Sequence, residues 1–163
     1  MGDRIALPWF DGAEADLEEP ETPQKAAALK AFLSLTAQDR LAASRHVYAY
    51  YRDYHAIVGG EDWLDAQMGV PAQPEDIWQH VTPQIIAVDS RPDMPGHVYV
   101  VIEADCAWEE EHGLMLVWED GTELIKVSGY DGHTTNVFAY DDDSLADVVY
   151  AASDPQFTTR RDP

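Results

Sequence analysis

Apolar residues recur at helical spacing in the first third of the chain. The segment 24–33 is rich in alanine, leucine and lysine behind Pro23, which predicts a helix. Thr36 and Asp39 then stand at the spacing of a capping box, so a second helix is predicted to begin there and to end at Gly59-Gly60. Its apolar and aromatic residues, which recur every three or four positions, are Ala43, Val47, Tyr50, Tyr51, Tyr54 and Val58.

The pattern changes to alternation after Gln84, which predicts β-strands. Residues 85–88 and 98–106 alternate between the two faces of a strand, and Asp120-Gly121 marks a hairpin. A two-residue loop at this point predicts a register in which one face of the hairpin packs on the core. The cross-strand pairs expected on that face are Trp118 with Glu123, Leu116 with Ile125, and Leu114 with Val127.

The order of these elements, helices first and antiparallel strands after, predicts an α+β fold in one domain spanning residues 1–163. In it, N-terminal helices pack on a mostly antiparallel β-sheet with a central Asp-Gly hairpin. We expect residues 11–22 to form an exposed acidic connector and residues 154–163 a frayed C-terminal tail. A short strand over 137–140 and a closing helix over 145–152 complete the prediction.

The charge of the chain limits the kinds of partner that it can bind. The formal net charge is −21, and between Asp53 and Thr159 the cations are Arg91 and Lys126 against twenty-two acidic residues. Because such a surface repels phosphate, it disfavours nucleic acids and anionic membranes and favours a basic protein partner or divalent cations. Adaptation to a salty or crowded medium explains the acidity equally well. No glycine-rich phosphate loop occurs, which disfavours nucleotide binding.

The single cysteine, Cys106, excludes a disulfide framework or a cysteine-based zinc cluster within one chain. It shares its parity with Val98, Val100 and Ile102, so it is expected to point into the core and not to act as a nucleophile. No run of about 20 apolar residues and no signal peptide is seen in the sequence, which predicts a cytoplasmic protein without a membrane span.

The run from Val100 to Leu114, with its Asp-Cys-Ala-Trp followed by acids and His-Gly, continues to Glu123–Val127 and Tyr130-Asp131. It resembles a family of small bacterial proteins that is catalogued only as a domain of unknown function. The resemblance implies a shared α+β fold and supplies no catalytic residue. Some proteins of this kind resemble immunity proteins of toxin systems, which is an analogy of fold and not of site.

Two kinds of site are compatible with these residues. The acids around the turn after Cys106 are expected to face outward, with Cys106 and Trp108 inward, and so to form an interaction surface. Its candidate residues are Glu103, Asp105, Glu109, Glu110 and Glu111. A metal site would draw on Glu111, His112, Asp131 and His133, although the HExxH spacing is absent.

The sequence therefore favours a non-enzymatic protein that binds a basic partner, or, by that analogy, an immunity-like accessory protein. The alternative is a metal-assisted hydrolase built on the loops at His112 and His133. No cofactor is expected beyond weak binding of divalent cations, because the EF-hand spacing of acids does not occur. The oligomeric state is left open.

Overall fold

A computed structural model describes residues 3–60, 62–91 and 94–162 of the chain. The α-helices are α1 (Pro23–Leu33), α2 (Ala37–Ile57), α3 (Asp62–Met68) and α4 (Asn136–Tyr140). The strands are β1 (Arg4–Leu7), β2 (Ala13–Leu17), β3 (Val81–Ser90), β4 (Val98–Cys106), β5 (Leu114–Glu119), β6 (Glu123–Ser128), β7 (Val148–Tyr150) and β8 (Thr159–Arg160). Short 3₁₀ helices span Pro8–Phe10, Pro74–His80, Asp143–Leu145 and Pro155–Phe157.

Strands β1 to β6 form one sheet in which the spatial order follows the order in the chain. Neighbouring strands are antiparallel except β2 and β3, which pair in parallel through Asp16 with Ile85 and Leu17 with Ile86. Strands β7 and β8 form a separate antiparallel pair. The predicted α+β class is confirmed, and the Asp-Gly hairpin lies at one end of the sheet.

Both long helices begin at a side-chain cap, and the one at Thr36 is the capping box that the sequence predicts. Thr22 accepts a hydrogen bond from Lys25 N at the start of α1, and Thr36 and Asp39 form the reciprocal capping box of α2. These contacts satisfy backbone amides that have no partner inside the helix. Within the described residues, no helix has the length and the apolar character needed to cross a membrane.

The core lies between the helices and one face of the sheet. The alternate residues of β4 from Val98 to Cys106 belong to this core, as their parity predicts. Aromatic rings fill its centre, where Trp118 lies 4.5 Å from Phe32 and 5.0 Å from Trp9 between ring centroids. The opposite face of the sheet, called the outer face below, carries a second buried cluster of Tyr99, Val101, Met115, Val117 and Ile125.

The predicted hairpin register is wrong by one residue near the turn. Asp120 and Gly121 both have the expected positive φ, but the loop has three residues and Glu119 pairs with Glu123. A bulge on β6 then shifts the register by one more residue, so that Leu116 pairs with Val127 and not with Ile125 as predicted. Because a bulge changes which way the bulged residues face, Ile125 joins the outer-face cluster and not the core beneath the helices.

The acidic connector predicted over residues 11–22 is wrong in its first part. Ala13–Leu17 is strand β2, whose alternation buries Ala15 and Leu17 while Glu14 and Asp16 stay exposed. Strands β1 and β3 supply its hydrogen bonds. Both partners lie outside residues 13–17, so the local sequence does not predict the strand. Residues 18–22 lead from this strand to the cap of α1 without regular structure.

The frayed tail predicted over 154–163 is also wrong over the described residues; Pro163 lies outside them. Thr159–Arg160 pairs with β7, and Arg161 N donates to Asp147 O at 2.8 Å. The segment predicted as a closing helix, 145–152, contains strand β7, and the strand predicted over 137–140 is part of helix α4. Pairing with β8 makes residues 148–150 a strand, whereas α4 is a local structure in which Thr135 accepts from Phe138 N.

Candidate functional site

The turn that follows β4 is organised by a buried carboxylate. The two oxygens of Glu109 accept hydrogen bonds from Glu111 N at 3.1 Å and from His112 N at 2.8 Å, and His112 Nδ1 lies 2.9 Å from Oε2. The residue is only 9% exposed. The prediction that Glu109 faces outward as part of the interaction surface is therefore wrong, because the turn's backbone amides lack strand partners and need an acceptor.

The turn closes on a glycine that nothing larger could replace without movement. Gly113 has φ +67°, and a Cβ placed on it would lie 2.5 Å from Ala104 O. Cys106 and Trp108 point into the core as predicted, at 4% and 1% exposure. Burial raises the pKa of Cys106 to about 12, which leaves the thiol protonated and unreactive at neutral pH.

The other predicted surface acids lie where the outer face of the sheet meets this turn. Asp105, Glu110 and Glu111 are exposed, and Glu103 is half-buried. Gln84 Nε2 donates to Asp105 at 3.0 Å and Gln67 Nε2 donates to Glu110 at 2.9 Å. The structure thus brings four of the five predicted interaction residues to one region.

Two adjoining cavities on this face, of about 230 and 260 Å³, share Ile85, Glu103 and Tyr130 in their linings. Together we call them the acidic groove. Neither lining contains a lysine or an arginine. The carboxylates that line the groove, none of which forms an ion pair with a described residue, are Glu18, Asp89, Glu103, Asp105, Glu110 and Glu111.

Burial and mutual repulsion disfavour the ionised form of the carboxylates in the groove. Burial raises the pKa of Glu103, and the charges of Glu18 and Asp89 raise it further. Burial also raises the pKa of Asp89, which Lys25 partly opposes. A bound cation would relieve both effects, because an opposite charge favours the ionised carboxylate. Glu18 and Asp89 were not among the predicted site residues. They are distant from Glu103 in the chain, and the pairing of the strands in the sheet brings them close to it.

A third cavity, of about 450 Å³, shares Glu111, His112 and Tyr130 with the groove and so continues it. We call it the tyrosine cavity. Its lining includes the phenol rings of Tyr50, Tyr54, Tyr130, Tyr140 and Tyr150. The helical stripe of tyrosines in α2 indicated only core packing, and Tyr50 is indeed buried at 6% exposure, but Tyr54 also reaches this cavity.

The four predicted metal ligands do not form one ligand group. Glu111 and His112 do lie together, and their third neighbour is Glu109, with ligand atoms of all three within 4.8 Å of one another. Asp131 instead accepts from Lys126 Nζ at 2.5 Å and from His133 N at 2.9 Å. Among the described residues, neither Asp131 nor His133 belongs to a cluster of three such ligands.

A second cluster with ligand spacing consists of His97, Glu119 and Asp120 at the hairpin end. Sequence reasoning missed it, because Glu119 and Asp120 are separated from His97 by a whole strand. His97 Nδ1 lies 3.7 Å from Glu119 Oε2, and Asp120 Oδ1 accepts from Val98 N at 3.5 Å. These contacts give the cluster a structural role, in which its side chains bind the ends of the strands.

Lys126 has a structural role that the sequence did not predict. Its side chain is fully buried, and Nζ donates to Asp131 and, at 2.7 Å, to His133 O. Burial lowers the pKa of Lys126, and the hydrogen bond to Asp131 opposes that effect. The pair therefore fastens residues 131–133 across the sheet and removes one of the few cations from the surface.

Comparison with known protein families gives one match. The model of a domain of unknown function, DUF6985, matches residues 3–134, which extends from β1 past the acidic groove. The predicted resemblance to a family catalogued in this way is confirmed. No curated protein and no solved structure matches the chain.

Proposed function

The chain belongs to the DUF6985 family, a domain of unknown function, and we propose that it is a non-enzymatic protein that binds a basic protein partner in the acidic groove. The supporting observation is that the groove gathers six carboxylates without a lysine or an arginine in its lining. Like charges held together in this way are unfavourable for the free protein, and a cationic partner offsets the repulsion.

The distribution of the cations supports the same proposal. On the described surface, arginines are held by local partners, such as Arg40 by Asp11 at 2.8 Å and Arg161 by Glu123 at 2.9 Å. Lys126 is buried. Local cations therefore neutralise acids elsewhere on the protein but leave those of the groove unpaired. Complementary charge of this kind raises association rates and sets the choice of partner.

The setting we propose is the cytoplasm, as the sequence predicts, of a bacterial cell, as the family resemblance implies. A role like that of an immunity protein is one form of the proposed function. A protein of that kind blocks a harmful partner by covering its surface, and a basic surface is what the groove would cover. The extreme acidity also fits simple solubility, but solubility alone gives no reason for acids to be gathered and partly desolvated in one groove.

One observation favours the metal-assisted hydrolase instead, namely the proximity of Glu109, Glu111 and His112. Both oxygens of Glu109 are already engaged by amides of the turn, and its Oε2 also contacts His112 Nδ1. Metal binding there would have to break or share these contacts. The geometry consequently supports protein binding better than metal-assisted catalysis.

The test uses short oligo-lysine and oligo-arginine peptides as probes, titrated into the full chain by calorimetry. The groove variant is Glu103→Gln with Glu110→Gln and Glu111→Gln. Its matched control, Asp3→Asn with Glu75→Gln and Asp143→Asn, removes the same charge from exposed acids outside the three cavities.

We expect the groove variant to bind on the order of tenfold more weakly, with the control close to the unmodified protein, and binding to weaken with salt. Equal weakening in both variants would show that net charge and not the groove attracts the peptides. That result, or an absence of binding to either peptide at low salt, would overturn the proposed function.

A further inference from the structure

We propose that the tyrosine cavity is the anchor site for one arginine side chain of the partner protein. This deepens the proposed function and rests on it, since it names the group by which a basic partner is held. The acidic groove supplies attraction over a wide area, whereas the tyrosine cavity supplies a shaped site at its end.

The floor of the cavity is a rigid pair of aromatic rings. Tyr50 and Tyr150 stack with ring centroids 5.4 Å apart and an interplanar angle of 28°. Tyr50 Oη donates to Gly113 O at 2.9 Å, and Tyr150 Oη donates to Asp53 Oδ2 at 2.6 Å. Both phenols are fixed by these bonds, so the floor is organised before any ligand enters.

The rim of the cavity is apolar and exposed. Ile57, Tyr130 and Tyr140 are 60%, 47% and 57% exposed, and all three line the cavity. They are among eight large hydrophobic residues that the described surface exposes. Exposed tyrosines that surround a pocket are typical of the anchoring positions of protein interfaces.

An unpartnered oxygen points to a hydrogen-bond donor as the ligand. Asn136 is 3% exposed and lines the cavity. Its Nδ2 donates to Val148 O at 2.8 Å and to Val149 O at 2.9 Å. Because carbonyls only accept, the amide nitrogen must face them and Oδ1 must point the other way. No described residue donates to that oxygen, so it can accept a hydrogen bond from a ligand in the cavity.

The electrostatics select a cation. The carboxylates that line the cavity are Glu109, Glu111 and Asp131, the last paired with Lys126, and the lining itself contains no lysine or arginine. Burial raises the pKa of Tyr54 and of Tyr140, and nearby carboxylates raise both further. A cation over the face of a tyrosine is attracted by the ring, and more strongly where water is excluded.

A guanidinium group fits these features better than an ammonium group. It is planar, so it stacks on aromatic faces, and it is weakly hydrated, so it loses less on entering a pocket. Its several N–H donors can reach Asn136 Oδ1 and a carboxylate at the same time. A lysine would offer one compact, strongly hydrated charge.

The test compares four small probes by ¹⁵N–¹H NMR titration of the full chain. They are N-acetyl-arginine methylamide, the corresponding lysine and citrulline amides, and free L-arginine. Citrulline has nearly the shape of arginine without the charge. Free arginine carries the α-carboxylate that a residue within a protein lacks, so it represents a small-molecule ligand.

We expect the arginine amide to shift the amide signals of Asn136, Tyr140 and Gly129, with citrulline on the order of tenfold weaker and lysine about threefold weaker. Tyr140→Leu and Tyr130→Leu, both at exposed positions, should each weaken the arginine amide about fivefold. Tyr48→Leu, which lies outside the cavity, should leave the affinity unchanged.

Equal binding of arginine and citrulline, or no effect of either tyrosine variant, would overturn the arginine anchor. Tighter binding of free arginine than of its amide would replace it with a small-molecule site. If the oligo-lysine peptide still depends on the groove acids in these cases, the proposed function stands while the anchor is wrong. If neither oligo-peptide binds, the proposed function itself fails.

Discussion

Tyr150 donates its phenol hydrogen to the Asp53 carboxylate at 2.6 Å, which joins the end of β7 to the C-terminal part of α2. The same carboxylate accepts from Ser153 N at 2.8 Å and from Asp154 N at 3.1 Å. Asp53 is 1% exposed, and its three donors come from residues far away in the chain. This one acid therefore holds the C-terminal segment against the helix and fixes the ring that floors the tyrosine cavity.

We expect Asp53→Ala to lower the free energy of unfolding by about 2–4 kcal/mol, because it leaves a phenol and two amides without their acceptor. Tyr150→Phe should cost only about 1 kcal/mol, since Asp53 keeps two donors. Urea denaturation measures both. As a control, Asp65→Ala removes a half-exposed contact to His55 and should cost less than about 1 kcal/mol. Similar losses for the two aspartate variants would contradict the role of Asp53.

The two neighbouring glutamates of the turn should behave very differently. Glu109→Ala removes the acceptor of the turn's amides and should lower the free energy of unfolding by about 1–3 kcal/mol. Glu110→Ala removes an exposed side chain and should change it by less than about 0.5 kcal/mol. Urea denaturation again gives both values. A neutral effect of Glu109→Ala would mean that the turn does not depend on its buried carboxylate.

His46 should make stability depend on pH. It is 6% exposed on α2, and its Nδ1 lies 2.7 Å from Thr159 Oγ1 of β8. Burial lowers the pKa of His46 to about 4, helped by Arg45 and partly opposed by Asp162. Between pH 6.5 and about 4 the unfolded chain binds a proton that the folded protein does not, so stability falls as the pH is lowered through that window.

The size of this effect is about 2–3 kcal/mol across the window. It is measured as the difference in unfolding free energy between the unmodified protein and His46→Gln at a series of pH values. Carboxylates titrate equally in both proteins, so the difference isolates the histidine. Two parallel pH curves would show that His46 is protonated in the folded state as readily as in the unfolded one.

Divalent metals should not stabilise the protein specifically. Because both oxygens of Glu109 are engaged within the turn, we expect about 1 mM Zn²⁺, Mn²⁺, Mg²⁺ or Ca²⁺ to move the melting temperature little, and alike, relative to EDTA. A dedicated site with micromolar affinity would add about 4 kcal/mol at this concentration. A large shift with Zn²⁺ that His112→Ala abolishes would instead support the hydrolase.

Local sequence patterns determined the parts of the fold that are decided within a few residues. The capping box at Thr36 and Asp39, the alternation from Val98 to Cys106 and the positive φ at Asp120-Gly121 all appear as predicted. Each of these features depends on residues that are neighbours in the chain, so it can be predicted from the sequence. The net charge likewise belongs to the sequence, and it limits the partners that the surface can attract.

Tertiary structure decided what depends on distant segments. Ala13–Leu17 becomes a strand because β1 and β3 supply its hydrogen bonds, and a bulge in β6 turns Ile125 to the outer face. Glu109 is buried because the backbone amides of the turn need an acceptor. The sequence does not distinguish Glu109 from the acidic residues beside it.

The candidate site was decided in the same way. The sheet brings Glu18, Asp89 and Glu103 from three strand regions to one groove. The tyrosine cavity joins residues of α2, α4 and β7 with Tyr130 beyond β6. Periodicity states which face of its own element a residue occupies, but only the packing of the elements states which residues from elsewhere will face it. The sequence therefore determined that the protein is acidic, and the fold determined where that acidity is left unpaired.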